Sequence, residues 1–321
     1  MQPVPDETRL LLNLLKINQM KRFSAGLIVS LLAFSSFAQN GKLEKTLLWK
    51  VTGNGLEKPS YIYGTIHMLC KEDAFLSPAL TEAIANSDKV YLELDMDNLL
   101  EMIGVLNKMK MNNDTTLADL LTPDEYRKAK AYFEKNSSLL PFSVLETYKP
   151  LLAASLLTEA SMVCDESVAM EQLIMDAAKK KGKAVDGLET MAYQMSIFDS
   201  IPYKVQAQEL MKSISDNKKE SEGDKEFREM LKAYKEQNLE KLGEMITQSE
   251  GGMMQYQDIL LNNRNRNWVE KLKKIMTMKS VVVAVGAGHL PGDKGLIALL
   301  RLAGYTVTPV DNAAPKPTRT I

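Results

Sequence analysis

The chain has 321 residues, 45% of them apolar and 25% charged, which is enough to bury a full core as one large domain or two modest ones. A net charge of −1 supplies no basic field for nucleic acid, and two cysteines, Cys70 and Cys164, are too few for a disulfide framework. They can form one bridge or remain two thiols, and the sequence leaves both open. Nineteen methionines, mostly on helical patterns, read as adaptable core filler rather than as a cofactor box.

At the amino end, Met20-Lys21-Arg22 precedes the uncharged apolar run Phe23–Phe37, and Ser36-Phe37-Ala38 puts small residues where a signal peptidase reads. The pattern predicts a signal peptide over 20–38, cleaved after Ala38, because the run is short for a membrane span. Residues 1–19 read as an upstream extension from a misassigned start. No lipidation cysteine follows the cleavage site, so the expected product is periplasmic or extracellular, with no stable membrane span.

Leu47–Val51 is a strand candidate, and Thr52-Gly-Asn-Gly55 with Lys58-Pro59 turns it back into Ser60–Tyr63. That second strand runs into Gly64-Thr-Ile-His67. Ser77-Pro78 reads as an N-cap and first-turn proline of a helix to about Ser87, with Leu80 and Ile84 facing the core. Lys89–Asp95 alternates with period two, Val90, Leu92 and Leu94 against Tyr91, Glu93 and Asp95. An acid inside such a strand costs free energy if buried alone. Glu93 therefore either faces solvent on an edge strand or pairs with a lysine, or else sits at the strand's carboxyl end beside His67 and His289 as a ligand or base.

Residues 97–278 are predominantly helical in pattern. Leu99–Met111 is rich in Leu and Met; Thr122-Pro123-Asp124-Glu125 opens a second helix. Pro150–Val163 is unusually apolar and expected to be buried, and Ser167–Lys181 is another helix, stopped by Gly182. Lys183–Leu188 returns to a strand ending at Glu189-Thr190. Met191 to Lys279 reads as amphipathic helices, with Ser213–Glu226 a solvated loop or exposed face. Val281–Val285 then holds four valines in five residues, a strand buried on both faces, and leads into Gly286-Ala-Gly288-His289. Gly292–Ala303 is a helix, Tyr305–Val310 a last strand, and Asn312–Ile321 a tail expected to fray.

The chain has two histidines, and each closes a Gly-x-x-His turn after an apolar strand. Both imidazoles would stand at the carboxyl ends of strands, where α/β sheets place their ligand crevices. The expected fold is α/β, a central mixed sheet built from two Gly-x-x-His-bearing halves, with a large helical insertion at about 97–278. One domain would cover 39–311, followed by a flexible tail at 312–321.

Tyr63-Gly-Thr-Ile-His67, Val90-Tyr-Leu-Glu93-Leu-Asp95, Gly187-Leu-Glu189-Thr190 with Gln194, Arg264-Asn265-Arg-Asn-Trp268 and Val285-Gly-Ala-Gly-His289-Leu290 together resemble the TraB/GumN family. That family is related to the Tiki proteases and, more distantly, to ChaN and erythromycin-esterase-like proteins. The resemblance, from about Leu47 to Val310, implies a metal-dependent hydrolytic site, proteolytic by analogy with Tiki. His67 and His289 match the motif histidines and Glu93 the glutamate of the second strand. Glu171 stands where relatives carry an acid, although Met170 replaces the usual glycine.

Two imidazoles and a carboxylate suit a divalent zinc, manganese or cobalt ion with open positions for water and substrate. On this reading His67, Glu93, His289 and Glu171 hold the metal, Glu189 is a further ligand or general base, and Arg264 steadies an oxyanion or substrate carboxylate. The substrate would be a peptide or other small carbonyl compound. No Gly-x-Ser-x-Gly elbow, P-loop or His-Glu-x-x-His is present, and Cys70, three residues after His67, is a weaker nucleophile candidate. Two rival classes use the same residues differently: a haem- or metal-binding protein, and a non-catalytic exported interaction protein.

Overall fold

The computed structural model describes residues 43–136, 140–160, 164–214, 222–248 and 254–315. The expected upstream extension, the signal peptide, residues 215–221 of the charged segment and residues 316–321 of the tail lie outside the described residues.

Eight strands form among the described residues: β1 (Leu48–Thr52), β2 (Ser60–Thr65), β3 (Leu69–Cys70), β4 (Lys89–Leu92), β5 (Ser167–Val168), β6 (Ala184–Gly187), β7 (Val281–Gly286) and β8 (Thr306–Val310). Six of them make one mixed sheet in the order β6-β4-β7-β2-β1-β8, while β3 and β5 pair separately. β7 lies parallel to both β2 and β4, and β4 parallel to β6; β1 is antiparallel to β2 and β8. A run of valines cannot place every side chain on one face, so it is stable only where both faces are covered. Val281–Val285 meets that condition, at 1% exposure or less.

The turn joining β1 to β2 has positive φ at Gly53, Asn54 and Gly55, the conformation that glycine and asparagine tolerate best. Helix α1 (Pro78–Asn86) starts as its sequence demands, with the Ser77 hydroxyl accepting from Leu80 N, and buries Leu80 and Ile84. Helix α2 (Leu99–Val105) is shorter than the Leu/Met pattern predicts and continues as a 3-10 turn to Met109. Its apolar stripe also faces outward: Leu100 is 84% exposed and Leu99, Ile103 and Leu106 are exposed with it.

Helix α3 (Pro123–Asn136) opens on reciprocal bonds between Thr122 and Glu125. Helix α4 (Pro150–Ala160) is less buried than its composition predicts; along 150–155 only Pro150 and Ala153 are buried. Leu117, Phe133, Phe142, Leu145 and Leu210 form an apolar cluster of their own inside the insertion. Beside them Lys149 is 1% exposed, paired with Asp199 at 3.1 Å and donating to the Lys108 carbonyl.

Helices α5 (Met170–Lys180), α6 (Met191–Asp199), α7 (Tyr203–Ser213), α8 (Glu222–Lys235), α9 (Leu239–Gln248) and α10 (Asn263–Met276) complete the insertion. A π-helical turn at Asp258–Asn262 leads into α10. After β7 comes α11 (Leu296–Leu302), then β8. Asn312, expected in a frayed tail, is 3% exposed and exchanges hydrogen bonds with Gln237. The two cysteines are joined, Cys70 of β3 to Cys164 just before β5, which removes Cys70 as a free nucleophile. Among the described residues no helix is long and apolar enough to cross a membrane.

Candidate active site

The site stands at the carboxyl ends of three parallel strands. β4 ends at Leu92, so Glu93 is the first residue beyond it, and β6 ends at Gly187, two residues before Glu189. The ladder between them continues past the strands: Leu188 N donates to Leu92 O and Glu189 N to Glu93 O. That register sets the two glutamates side by side. β7 supplies the third contribution, since Gly286 N donates to Glu93 Oε1 at 2.8 Å. Glu93 is thus not the solvent-facing edge residue that was one of its two sequence readings.

Helix α10 closes the cluster. Arg264 lies between the two carboxylates: its Nε donates to Glu189 Oε1 at 2.8 Å, and Nη2 donates to Glu93 Oε2 and Glu189 Oε1. Its Nη1 donates to Leu260 O in the π-helical turn and faces His289 Nε2 at 3.2 Å. All five guanidinium donors are therefore engaged within the protein. Glu189 is equally occupied, because its Oε2 accepts from Trp268 Nε1 at 3.0 Å and its Oε1 also accepts from Gln194 Nε2 at 2.9 Å. Gln194 Nε2 lies 3.1 Å from Glu93 Oε2 as well.

His289 sits in a single 3-10 turn after β7 and is 4% exposed. Its ring lies 4.4 Å from that of Trp268, which also stacks under the Arg264 guanidinium. Burial and the neighbouring guanidinium push the His289 pKa down to about 4, against the pull of Glu93, so the ring is neutral near pH 7. Burial would raise the Glu93 carboxyl, but the Arg264 guanidinium and the Gly286 N–H outweigh it and hold the group below the usual range.

The other histidine sits differently. His67 follows β2 in a loop, its side chain 75% exposed, with Nδ1 at 2.9 Å from Glu171 Oε1. The same oxygen accepts from Thr65 Oγ1 at 2.6 Å. The hydrogen bond with Glu171 raises the His67 pKa to about 9, partial burial opposing it. Glu171 is held there because Met170 N, at the start of α5, donates to Ile66 O. The Cys70–Cys164 bridge and the β3–β5 pair tie the same two segments together.

The structure thus brings Glu93, Glu189, Arg264 and His289 into one buried cluster and pairs His67 with Glu171 beside it, near enough for Glu93 and Arg264 to act electrostatically on His67. Among the described residues, no three His, Cys, Asp or Glu side chains converge as a metal-ligand group. The chemistry of the donors nevertheless fits a cation. Glu171 Oε2 is buried without a hydrogen-bond partner, His289 is neutral, and Glu93 and Glu189 share the Arg264 guanidinium, leaving carboxylate charge in excess.

Sequence reasoning assigned no role to Trp268, Asn265, Gln194 or Thr65. For the first two a signal was present: Arg264, Asn265 and Trp268 share one face of a helix at i, i+1 and i+4. Thr65 lies inside the Gly64-Thr-Ile-His67 turn, but nothing in that motif foretells its bond to Glu171.

The TraB/PrgY/gumN family model matches residues 47–309, well over half of the chain. The chain is 24% identical over 315 residues to metalloprotease TIKI2 of Xenopus tropicalis, covering 82% of this chain and 59% of that protein. It is 28% identical over 98 residues to metalloprotease TIKI2 of Danio rerio, covering 30% of this chain and 19% of that one. The chain therefore spans about six-tenths of the length of the Xenopus relative and less of the second. No solved structure matches significantly.

Proposed function

The chain belongs to the TraB/PrgY/gumN family, and from that premise we propose that it is an exported, metal-dependent hydrolase acting on a peptide or other small carbonyl substrate. The observation that carries the reading is the buried carboxylate excess at the strand ends, beside a neutral imidazole. Kinship with proteins named metalloproteases supports the peptide as substrate.

His67, Glu171, His289 and Glu93 are the residues that would hold a divalent manganese, cobalt or zinc ion. Bound there, the metal would supply Lewis acidity and a water made acidic enough to act as a nucleophile. The chain's own residues divide the remaining work. Glu189 and Gln194 hold Arg264 and Glu93 in place, and Trp268 fixes the second Glu189 oxygen. With its five donors spent, Arg264 serves as a positioning residue that keeps Glu93 charged and aimed at His289, rather than as the oxyanion clamp expected from sequence. Glu189, equally saturated, keeps that same supporting role instead of acting as base.

The two Gly-x-x-His units belong to neighbouring parallel strands, which supports reading the sheet as two related halves of one domain over 39–311. The Cys70–Cys164 bridge supports export, because disulfides persist in oxidising compartments.

The test is metal content by plasma mass spectrometry on protein starting at Gln39, with thermal melts plus and minus manganese, cobalt or zinc. Wild type is compared with His67→Ala/His289→Ala, and hydrolysis is followed on a peptide library. Stoichiometric metal, a melting shift absent from the variant and metal-dependent cleavage are expected. No metal, no shift and no cleavage would discard the reading.

A further inference from the structure

An imidazole can serve a cation or a proton only through a nitrogen that carries a lone pair, so the tautomer of His289 decides what it offers the site. Two independent contacts bear on it. The first is Asn265, buried on α10, whose Nδ2 donates to the carbonyls of His289 at 3.3 Å and Lys294 at 2.9 Å. Only one orientation of the amide allows this, because the opposite one would set Oδ1 against two carbonyl oxygens. Oδ1 is therefore the atom 2.6 Å from His289 Nδ1, and as an acceptor it requires a proton on that nitrogen. The second contact is at the other end of the ring. Arg264 Nη1, 3.2 Å from Nε2, has only protons to offer, so Nε2 must accept.

We infer that Asn265 is a positioning residue that locks His289 in the Nδ1–H tautomer and turns the Nε2 lone pair toward Arg264 and Glu93, where a bound cation would take it in place of the Arg264 N–H. In water the ring favours neither arrangement strongly enough to guarantee this; the acceptor at Nδ1 and the donor at Nε2 fix it together, and without Asn265 the Arg264 contact alone is left to bias it. The same amide fixes the turn as well as the ring, since it ties the His289 carbonyl to that of Lys294 five residues on. The inference about the tautomer stands on geometry alone; only its consequence for metal rests on the proposed function.

The test uses the metal-free protein labelled with 15N-histidine. The chain's two histidines make it directly assignable, with His67→Ala removing one set of ring signals. Two-bond proton–nitrogen correlation reads which ring nitrogen is protonated. Wild type is expected to show His289 with Nδ1 protonated and Nε2 bare. Asn265→Leu, which removes the acceptor, is expected to show mixed or Nε2–H forms. Asn265→Asp, which keeps an acceptor at the same place, is expected to retain Nδ1–H.

An Nε2–H signal in wild type would overturn the inference, as would an unchanged Nδ1–H in a folded Asn265→Leu protein. Should Asn265→Leu not fold, the wild-type and Asn265→Asp spectra decide it. A second readout is affinity for manganese, cobalt or zinc, expected to fall about 10–100-fold in Asn265→Leu and to recover in Asn265→Asp. If wild type shows the Nδ1–H tautomer yet binds none of these metals, the function fails and the tautomer assignment survives.

Discussion

Replacing both Cys70 and Cys164 by serine is expected to cost the fold nearly as much as any single change in it. The bridge joins residues 94 positions apart. The chain-entropy relation for closing a loop of that length gives about 4.7 kcal/mol at 25 °C, and native bridges usually return about 2–5 kcal/mol. Unfolding entropy of about 2.1 cal/mol/K per residue, over the unit Leu43–Ile321, turns 4.7 kcal/mol into a fall of roughly 8 °C in Tm. The assay is urea denaturation and calorimetry of the oxidised wild type and the double serine variant. A loss below about 1 kcal/mol would refute the loop argument, because it would mean that the unfolded chain is not restrained by the bridge. The same variant carries a functional readout. Cys70 lies three residues past His67 and Cys164 seven before Glu171, so the His67–Glu171 pair should loosen and any metal-induced melting shift should shrink.

The glycines of the second motif should behave differently from each other. A methyl group at Gly286 would lie 3.2 Å from Glu93 Oε1, so Gly286→Ala should displace that carboxylate and abolish the metal-induced shift, at a stability cost of about 1–2 kcal/mol. At Gly288 the added carbon meets only the end of the Ile246 side chain, at 2.7 Å, which can rotate away; Gly288→Ala should titrate with metal like wild type. Lys149→Met should cost about 2 kcal/mol by urea denaturation, because it leaves Asp199 half-buried without its cation, and adding Asp199→Asn should recover part of that loss. No recovery in the double variant would mean that the pair is not coupled. For pH, the folded pKa of His289 lies below its ordinary value of 6.5, so between pH 6.5 and about 4 the unfolded chain binds a proton that the folded chain refuses. Stability is therefore full above that window and falls as pH drops through it. His289→Gln should flatten this limb of the stability profile, and an unchanged limb would remove His289 as its cause.

Much of this architecture was legible because the signals were local. Valines at 281–283 and 285 demand cover on both faces, Ser77-Pro78 demands a helix start, and Thr122 with Glu125 writes its own capping box. The six candidate residues were legible for their chemistry but not for their grouping. Glu189 reaches Arg264 and Glu93 only because the β4–β6 ladder runs on past the strand ends, and no spacing in the chain encodes that register. Arg264 is read from sequence as a cation for an oxyanion or substrate carboxylate, whereas its saturation depends on five hydrogen bonds to four acceptor atoms, three of them on residues distant in the chain. The outward turn of Leu99, Leu100 and Ile103 was hidden for the opposite reason: periodicity states that a stripe exists, not that an element lies against it.

The position of β7 also governs the order in which the molecule can be made. Its neighbours β2 and β4 are synthesised early, but β7 pairs Tyr61 with Val282, 221 residues later. Until then the strands on either side of its slot each keep an unpaired edge, and Glu93 waits without the Gly286 N–H or His289. Contacts of such long range make folding slow and leave bare strand edges open to wrong partners. The site is thus completed late, with only α11 and β8 still to follow it in the chain.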